Sequence, residues 1–426
     1  MPDQTPPRPN STGRVLLASL AGTTIEYFDF YIYGTAAVLV FPRLFFPASD
    51  PGAAVLQSLA TFALAFLARP IGSAVFGHFG DRIGRKATLV AALMTMGLAT
   101  VTIGLMPTYA TIGIAAPTIL AICRFAQGLG LGGEWGGAVL LATENAPPGR
   151  RAWFGMFPQL GAPLGFVASS GLFLLMSQNL SDADFLAWGW RIPFLASAFL
   201  VVIGLYVRLK ITEAPEFVKA LSHDKPIRLP LATVVSRHGF KLLVGTFAGI
   251  MTFVIFYMMT VFSLGWGTVQ LHIPRADLLE MQIIGMVGMA AGIVLSAWLA
   301  ERIGCRLMLL TSALLIAAFG FAYAPLFSSG EDSRVLFVLV CGLALMGLSY
   351  GPLGTAMAEL FPTTVRYTGA SLAFNLAGIL GASVAPYVAT WLATQYGLRA
   401  VGYYVTASGL VSLIALLGFK RSGTTA

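Results

Sequence analysis

Charge is what this sequence has least of. Only 10% of its 426 residues are Asp, Glu, Lys or Arg, against roughly 25% in a soluble domain, so most of its surface cannot face water. Cysteine is scarce too. Cys123, Cys305 and Cys341 lie too far apart for a metal site or a disulfide framework. Of the four histidines, His78 borders a charged turn, and His223, His238 and His272 fall in loops or at the ends of apolar runs. No nucleophile–base set is visible. No Gly-x-x-x-x-Gly-Lys-Ser/Thr stretch occurs, so the usual phosphate-cradling loop is missing and ATP is not expected as the energy source. No enzyme activity, metal or cofactor is expected, beyond protons as a coupling ion.

What the sequence has is apolar length. Hydrophobic residues make up 57% of the chain. They fall into twelve runs near the ~20 residues needed to cross a bilayer: 14–41, 53–79, 87–106, 111–143, 151–177, 188–209, 241–266, 278–300, 306–327, 335–358, 367–395 and 398–419. Each must be helical, because lipid offers no partner for an open backbone. The fold class is therefore all-α, with twelve membrane spans. The first run holds Glu26 and Asp29, which a cleaved signal peptide would not carry in its apolar centre, so it is a retained span.

The net charge of +8 does not point to nucleic acid, because the basic residues sit in short loops between spans. Arg43, Arg191, Arg275, Arg334 and Arg399 fall near one face, Arg69 and Arg124 fall within spans, and the other 19 of the 26 Lys and Arg fall on the opposite face. The positive-inside rule then places both termini in the cytoplasm. The expected organisation is a disordered tail (1–13), a six-helix bundle (14–209), a cytoplasmic loop (210–240), a second six-helix bundle (241–419) and a short tail (420–426).

Two internal repeats support a duplication. Gly77-His78-Phe79-Gly80-Asp81-Arg82-Ile83-Gly84-Arg85-Lys86 has a weaker copy at Ala300-Glu301-Arg302-Ile303-Gly304-Cys305-Arg306, 220 residues on. Glu144-x-x-Pro147-x-x-x-Arg151 returns with identical spacing as Glu359-x-x-Pro362-x-x-x-Arg366, 215 residues on. Paired motifs in two halves of six spans suit two bundles facing each other across a central path.

Gly-x-x-x-Asp-Arg-x-Gly-Arg-Lys after the second span resembles the signature of the major facilitator superfamily. Further stretches narrow the resemblance: Gly22-Thr-Thr-Ile-Glu26-Tyr-Phe-Asp29-Phe-Tyr-Ile-Tyr-Gly34, Ala68-Arg69-Pro70, Arg124-Phe-Ala-Gln127-Gly128 running to Gly132-Gly133-Glu134-Trp135-Gly136-Gly137, and Trp188-Gly-Trp-Arg191-Ile-Pro193-Phe. Together they are similar to bacterial metabolite:proton symporters, the group of shikimate, 2-oxoglutarate, citrate and proline/betaine carriers. The resemblance covers nearly the whole chain and implies the major facilitator fold in a multi-pass protein of the bacterial inner membrane. Two departures stand in the second-half turn, where Glu301 replaces the usual Asp and Cys305 a frequent Arg. The chain stops soon after Lys420-Arg421, which counts against an osmosensor.

Buried charges are the informative residues, because a charge at the bilayer centre costs at least ~2.5 kcal/mol. Glu26 and Asp29 share a helical face. Arg69 lies roughly 18 Å from the turn at Asp81, and Arg124 roughly 20 Å into its span, at 1.5 Å per residue. The expected proton-coupling acids are Asp29 or Glu26, with Glu134 as a third. Arg124 and Arg69 are expected to grip an anion through bidentate hydrogen bonds, with Gln127, Gln159, Tyr257 and Asn375 lining the same path. Tyr27, Tyr31 and Tyr33 suit packing as well as binding. Gly161-Ala-Pro163-Leu-Gly165 is read as a kink. Asp81, Arg82, Arg85, Glu144 and Arg151 of one half and Glu301, Arg302, Glu359 and Arg366 of the other are expected to form a cytoplasmic gate, a reading that leans on the resemblance.

These residues imply a proton-coupled secondary transporter for a small polar metabolite, an organic anion or zwitterion with a carboxylate, working by alternating access as a monomer in the lipid bilayer. Two alternatives remain at this point: a proton/drug antiporter exporting amphiphilic compounds, and a non-transporting sensor on the same fold.

Overall fold

The computed structural model describes residues 12–47, 51–83, 85–209, 230–362 and 365–418. The segments 1–11, 210–229 and 419–426, and the side chains of Asp81, Arg82 and Arg85, lie outside the described residues. Twelve helical spans emerge. They are α1 (Thr12–Leu39), α2 (Pro51–Ile83), α3 (Arg85–Leu105), α4 in two pieces (Ala115–Gly132 and Trp135–Glu144), α5 (Arg151–Asn179) and α6 (Arg191–Leu209). The second half holds α7 (Pro230–Tyr257, running on through Ser263–Val269), α8 (Arg275–Ile303), α9 (Cys305–Phe327), α10 (Asp332–Leu360), α11 (Arg366–Gly378 and Ala385–Tyr396) and α12 (Leu398–Leu417). Among the described residues there is no strand. Ten of the stretches are long and apolar enough to cross a membrane. α1 and the broken α4 complete the twelve.

The helices pair by one rule in both halves. α1 packs on α5 as α7 packs on α11, α2 on α4 as α8 on α10, and α3 on α6 as α9 on α12. The halves meet through α5 against α8 and α2 against α11, two contacts that exchange under the same pseudo-symmetry. With no hydrophobic drive between helices in lipid, such pairs rely on close backbone approach at small residues. Gly128 and Gly132 provide it on α4: a β-carbon at either would overlap the carbonyl of Ala65 or Arg69 on α2. The repeated turn between α8 and α9 is made by Gly304, at a φ of 87° that a side chain would strain.

Several elements differ from the sequence expectation. The fourth run is not one helix from 111 to 143. A short helix, Tyr109–Ile112, precedes it, and the chain breaks after Gly132. Adjacent glycines lower helix propensity by about 1 kcal/mol each, and the carbonyls freed there find partners elsewhere. α7 begins at Pro230 rather than 241, so the end of the expected 210–240 loop is helical and bends at His238 (φ −125°, ψ 19°). Proline suits a helix start because its missing N–H is an orphan there anyway. α7 and α11 each widen into a π-turn, Met258–Phe262 and Ile379–Ser383. In the first, Gln282 Nε2 on α8 donates to the Met259 and Thr260 carbonyls at 3.2 and 2.7 Å and to Ser263 Oγ at 3.1 Å, which offsets the disturbed ladder. α5 is assigned helical from Arg151 to Asn179 with Pro158 and Pro163 inside it. Gly161 and Gly165 let α5 close onto Thr23 and Thr24 of α1.

Candidate functional site

One line of polar side chains runs through the middle of the N-terminal half. Arg124 on α4 is wholly buried. Its Nη1 donates to Gln127 Oε1 at 3.0 Å and its Nε to the Phe62 carbonyl at 3.3 Å. Gln127 Nε2 donates to Thr100 Oγ1 on α3 at 2.8 Å. The Thr100 hydroxyl lies 3.2 Å from Asp29 Oδ2 and 3.0 Å from the Met96 carbonyl, with one proton to give. Asp29, buried completely, thus joins Arg124 through two neutral side chains rather than by direct contact. Its other oxygen, Oδ1, is without a close hydrogen bond among the described residues, and the Ser197 hydroxyl of α6 also faces the carboxylate. Arg124 and Asp29 are separated by the width of a glutamine and a threonine, so each keeps unused hydrogen-bonding capacity.

The two guanidinium groups are sandwiched by rings. Arg124 lies 4.3, 4.1 and 4.7 Å from the ring centres of Phe30, Tyr33 and Phe62, and Arg69 lies 4.6 and 4.7 Å from Phe30 and Phe66. Such cation–π contacts give ~2 kcal/mol or more when desolvated. Arg124 Nη2 and Arg69 Nε have no hydrogen-bond partner among the described residues. Glu26 is buried on the same helix as Asp29, on the side of Tyr27, Tyr31 and Tyr350.

A pocket opens between the halves beyond this layer, lined by Tyr31, Gly34, Thr35, Phe62 and Phe166 of the first half and Phe256, Tyr257, Thr260, Val261, Leu264 and Gln282 of the second. Of the side chains expected to line the path, Tyr257 does. Arg124 stands behind Phe62, and Gln127 is bonded to Arg124. Gln159 and Asn375 sit elsewhere, in the seam that closes the half of the molecule carrying the termini.

Several contacts in that seam join neutral groups. Trp135 on α4 stacks on Phe374 of α11, with centroids 3.6 Å apart and planes at 8°, and its Nε1 donates to Gln159 at 3.2 Å. Gln159 in turn donates to the Tyr350 carbonyl on α10 at 3.2 Å, while the hydroxyls of Tyr27 and Tyr350 bond each other. The carbonyls freed by the α4 break are capped. Tyr367 of α11 donates to Gly133 at 2.6 Å and Ser73 of α2 to Gly132 at 2.5 Å, and Asn375 donates to Ser73 at 2.7 Å. Glu134 lies buried in the break itself.

Charge enters at the rim. Glu301 Oε1 accepts the Trp153 backbone N–H at 3.0 Å, placing a carboxylate of α8 on the first turn of α5, where a negative charge is favoured by the helix dipole. Arg366 stands in the electrostatic field of Glu144, Glu359 and Arg151, so the two Glu-x-x-Pro-x-x-x-Arg copies converge. Arg302 lies 3.6 Å over Trp298 of its own helix. On the far side of the molecule the halves are joined by Arg275 and Asp182 at 3.1 Å, with side chains 23% and 82% exposed. An exposed pair of that kind contributes ~0–1 kcal/mol.

Comparisons with known proteins follow this geometry. Residues 14–225 match the model of the sugar (and other) transporter family, and residues 271–425 that of the major facilitator superfamily. The chain is 57% identical over 413 residues to the inner membrane metabolite transport protein YhjE of Escherichia coli K12, covering 96% of this chain and 94% of that one. The chain belongs to the major facilitator superfamily. Within it, the shikimate transporter of Escherichia coli K12 is 34% identical, over 96% of this chain and 94% of that one, and a proline/betaine transporter of Salmonella typhimurium LT2 is 30% identical, over 96% and 83%. The fold matches the proton:xylose symporter XylE with a TM-score of 0.75 at 17% identity, over 96% of this chain and 95% of that one. This facilitator chain is thus a membrane transporter and not an enzyme.

Sequence reading missed the residues that carry the seam. Trp135, Phe374, Tyr367, Tyr350, Ser73 and Thr100 are ordinary apolar or small polar residues in apolar helices. The one signal available was the Gly-Gly-Glu-Trp-Gly-Gly run, which marks a helix that stops.

Proposed function

We propose that this secondary transporter imports a small carboxylate-bearing metabolite together with protons across the bacterial inner membrane by alternating access. The observation that carries the reading is the buried line Asp29–Thr100–Gln127–Arg124, an acid and a base linked through a threonine hydroxyl that can reverse its hydrogen bond and a glutamine held in one orientation by the donor-only guanidinium. With Asp29 ionised, Thr100 donates to it. With Asp29 protonated, the carboxyl can donate to Thr100, whose own proton then goes to the Met96 carbonyl, 3.0 Å away. Gln127 keeps donating to Thr100 and accepting from Arg124 in both states, so what reaches Arg124 is the change of charge at Asp29, and its unused Nη2 is a donor for a substrate carboxylate. Protonation and anion binding are coupled in this way along four side chains. Glu26, near the tyrosines of the central path, is the second acid in reach, and Glu134 at the α4 break a third.

Alternating access uses the two rims. With the termini in the cytoplasm, the aromatic seam and the Glu301 contact hold the inner side shut while the pocket lies toward the outside. Opening inward requires the Trp135–Phe374 stack to part. The side chains of Asp81, Arg82 and Arg85 would add the remaining charges of this gate, with Glu144, Arg151, Glu359 and Arg366. The names of the relatives support the substrate class, since shikimate, proline and betaine all carry a carboxylate.

The test uses purified protein in liposomes holding a pH dye. Shikimate, 2-oxoglutarate, citrate, small mono- and dicarboxylates and betaine are added outside. One compound should acidify the lumen and accumulate against its gradient. If the lumen becomes more alkaline on transport, the protein is an antiporter and the proposal fails.

A further inference from the structure

The pocket and the arginines are separated in this structure, and the separation restricts the substrate. No charged side chain lines the pocket. Its walls are the rings of Tyr31, Phe62, Phe166, Phe256 and Tyr257, with hydroxyls from Thr35 and Thr260. Positive charge stands behind the wall around Phe62, Tyr257 and Tyr31, where Tyr31 also lies in the field of Glu26. Arg124 lies 4.7 Å behind the Phe62 ring. Tyr257, which closes the same wall, packs 5.8 Å from both Phe62 and Phe66 and lies in the field of Arg69 and Arg124. The second half supplies no counterpart, because none of its described spans carries a Lys or Arg near its middle. A compound held between the halves therefore meets cations at one pole and ring faces around the rest of its body.

Resting on the reading of Arg124 and Arg69 as the anion grip, we infer that the site selects compounds with a single carboxylate on a compact body that ring faces can hold, and rejects di- and tricarboxylates. The carboxylate enters between Phe62 and Tyr257 and takes the unused donors of the arginines. The body stays among the rings. An apolar ring gains from burial there, and a quaternary ammonium from the negative ring faces. A second carboxylate would be buried against those same faces with no partner, the arrangement that penalises an ion most.

The test compares matched pairs on the full chain in liposomes, reading both ligand-induced thermal stabilisation and lumen acidification. The pairs are cyclohexanecarboxylate against cyclohexane-1,2-dicarboxylate, benzoate against phthalate, and butyrate against succinate, with trimethylglycine as the cationic-body probe. The monocarboxylate of at least one pair, or trimethylglycine, should bind at least about a hundredfold more tightly than any dicarboxylate. Phe256→Leu, on the wall remote from the arginines, should reduce monocarboxylate affinity about tenfold without admitting dicarboxylates. Dicarboxylates that bind and acidify the lumen as well as their monocarboxylate partners would overturn this inference and leave proton symport standing. Binding by none of the panel would overturn both readings.

Discussion

Removing the Glu301 carboxylate should open the terminal face. Its Oε1 sits 3.0 Å from the Trp153 N–H on the first turn of α5, where orphan N–H groups make an anion favourable by 0.3–1 kcal/mol, and up to ~2 kcal/mol when partly buried. Glu301→Gln keeps an acceptor and loses the charge, so it should cost the closed state about 1 kcal/mol. Glu301→Ala also loses the hydrogen bond, which contributes about 1.5–3 kcal/mol when one partner is charged. A change of 1.4 kcal/mol is tenfold, so a face closed nine parts in ten becomes an even mixture. Spin labels at positions 148 and 303, on the two sides of the seam, would report the distance distribution by double electron–electron resonance. The long-distance population should grow in the order wild type, Glu301→Gln, Glu301→Ala. Equal distributions in all three would refute the assignment of this contact to the closed state.

Arg124→Lys should weaken carboxylate binding about tenfold, because an ammonium cannot present the forked pair of donors. Direct binding measurements check this, and unchanged affinity would remove Arg124 as the grip. Gly128→Val places a branched side chain against the Ala65 carbonyl, so the variant should lose several degrees of melting temperature or fail to accumulate in the membrane. Normal yield and stability would contradict the close approach of α2 and α4. Trp135→Ala removes the stack on Phe374 and the bond to Gln159, worth about 1 kcal/mol each, and should raise reactivity of cysteines placed along the seam. Unaltered labelling rates would count against it.

Much of the fold was legible because lipid leaves few options. Twelve apolar runs must be twelve helices, and the repeated Arg-Ile-Gly turn announces the duplication before any contact is known. The α4 break is written in its glycines, but the same residues serve close packing on α2, so the run does not distinguish a break from a continuous packed helix. The start of α7 was lost because Arg237, His238 and Lys241 look like loop, whereas they ride on a helix whose Val234 is buried. At the site, Asp29, Arg124 and Gln127 stood out as rare polar groups in an apolar setting. Thr100 did not, because a threonine in a membrane helix usually bonds its own backbone, and only the fold reveals that this one also faces Asp29. The inner seam was illegible for a similar reason. The sequence advertises charges for a gate, and the aromatic contacts that stand beside them, such as Trp135 on Phe374, carry no signal of their own in an apolar chain.

The Asp29→Asn variant tests the proton-coupling line most directly. Wild-type and variant protein would be compared in the same liposomes for two activities: accumulation driven by external acid, and exchange of labelled for unlabelled substrate with no pH gradient. Asparagine keeps the shape and can still accept from Thr100, but it cannot take up a proton. The account predicts that accumulation disappears while exchange survives within about threefold of wild type, because exchange needs the rocking motion and Arg124 but no net proton. Full acid-driven accumulation by Asp29→Asn would contradict it and move proton coupling to Glu26 or Glu134.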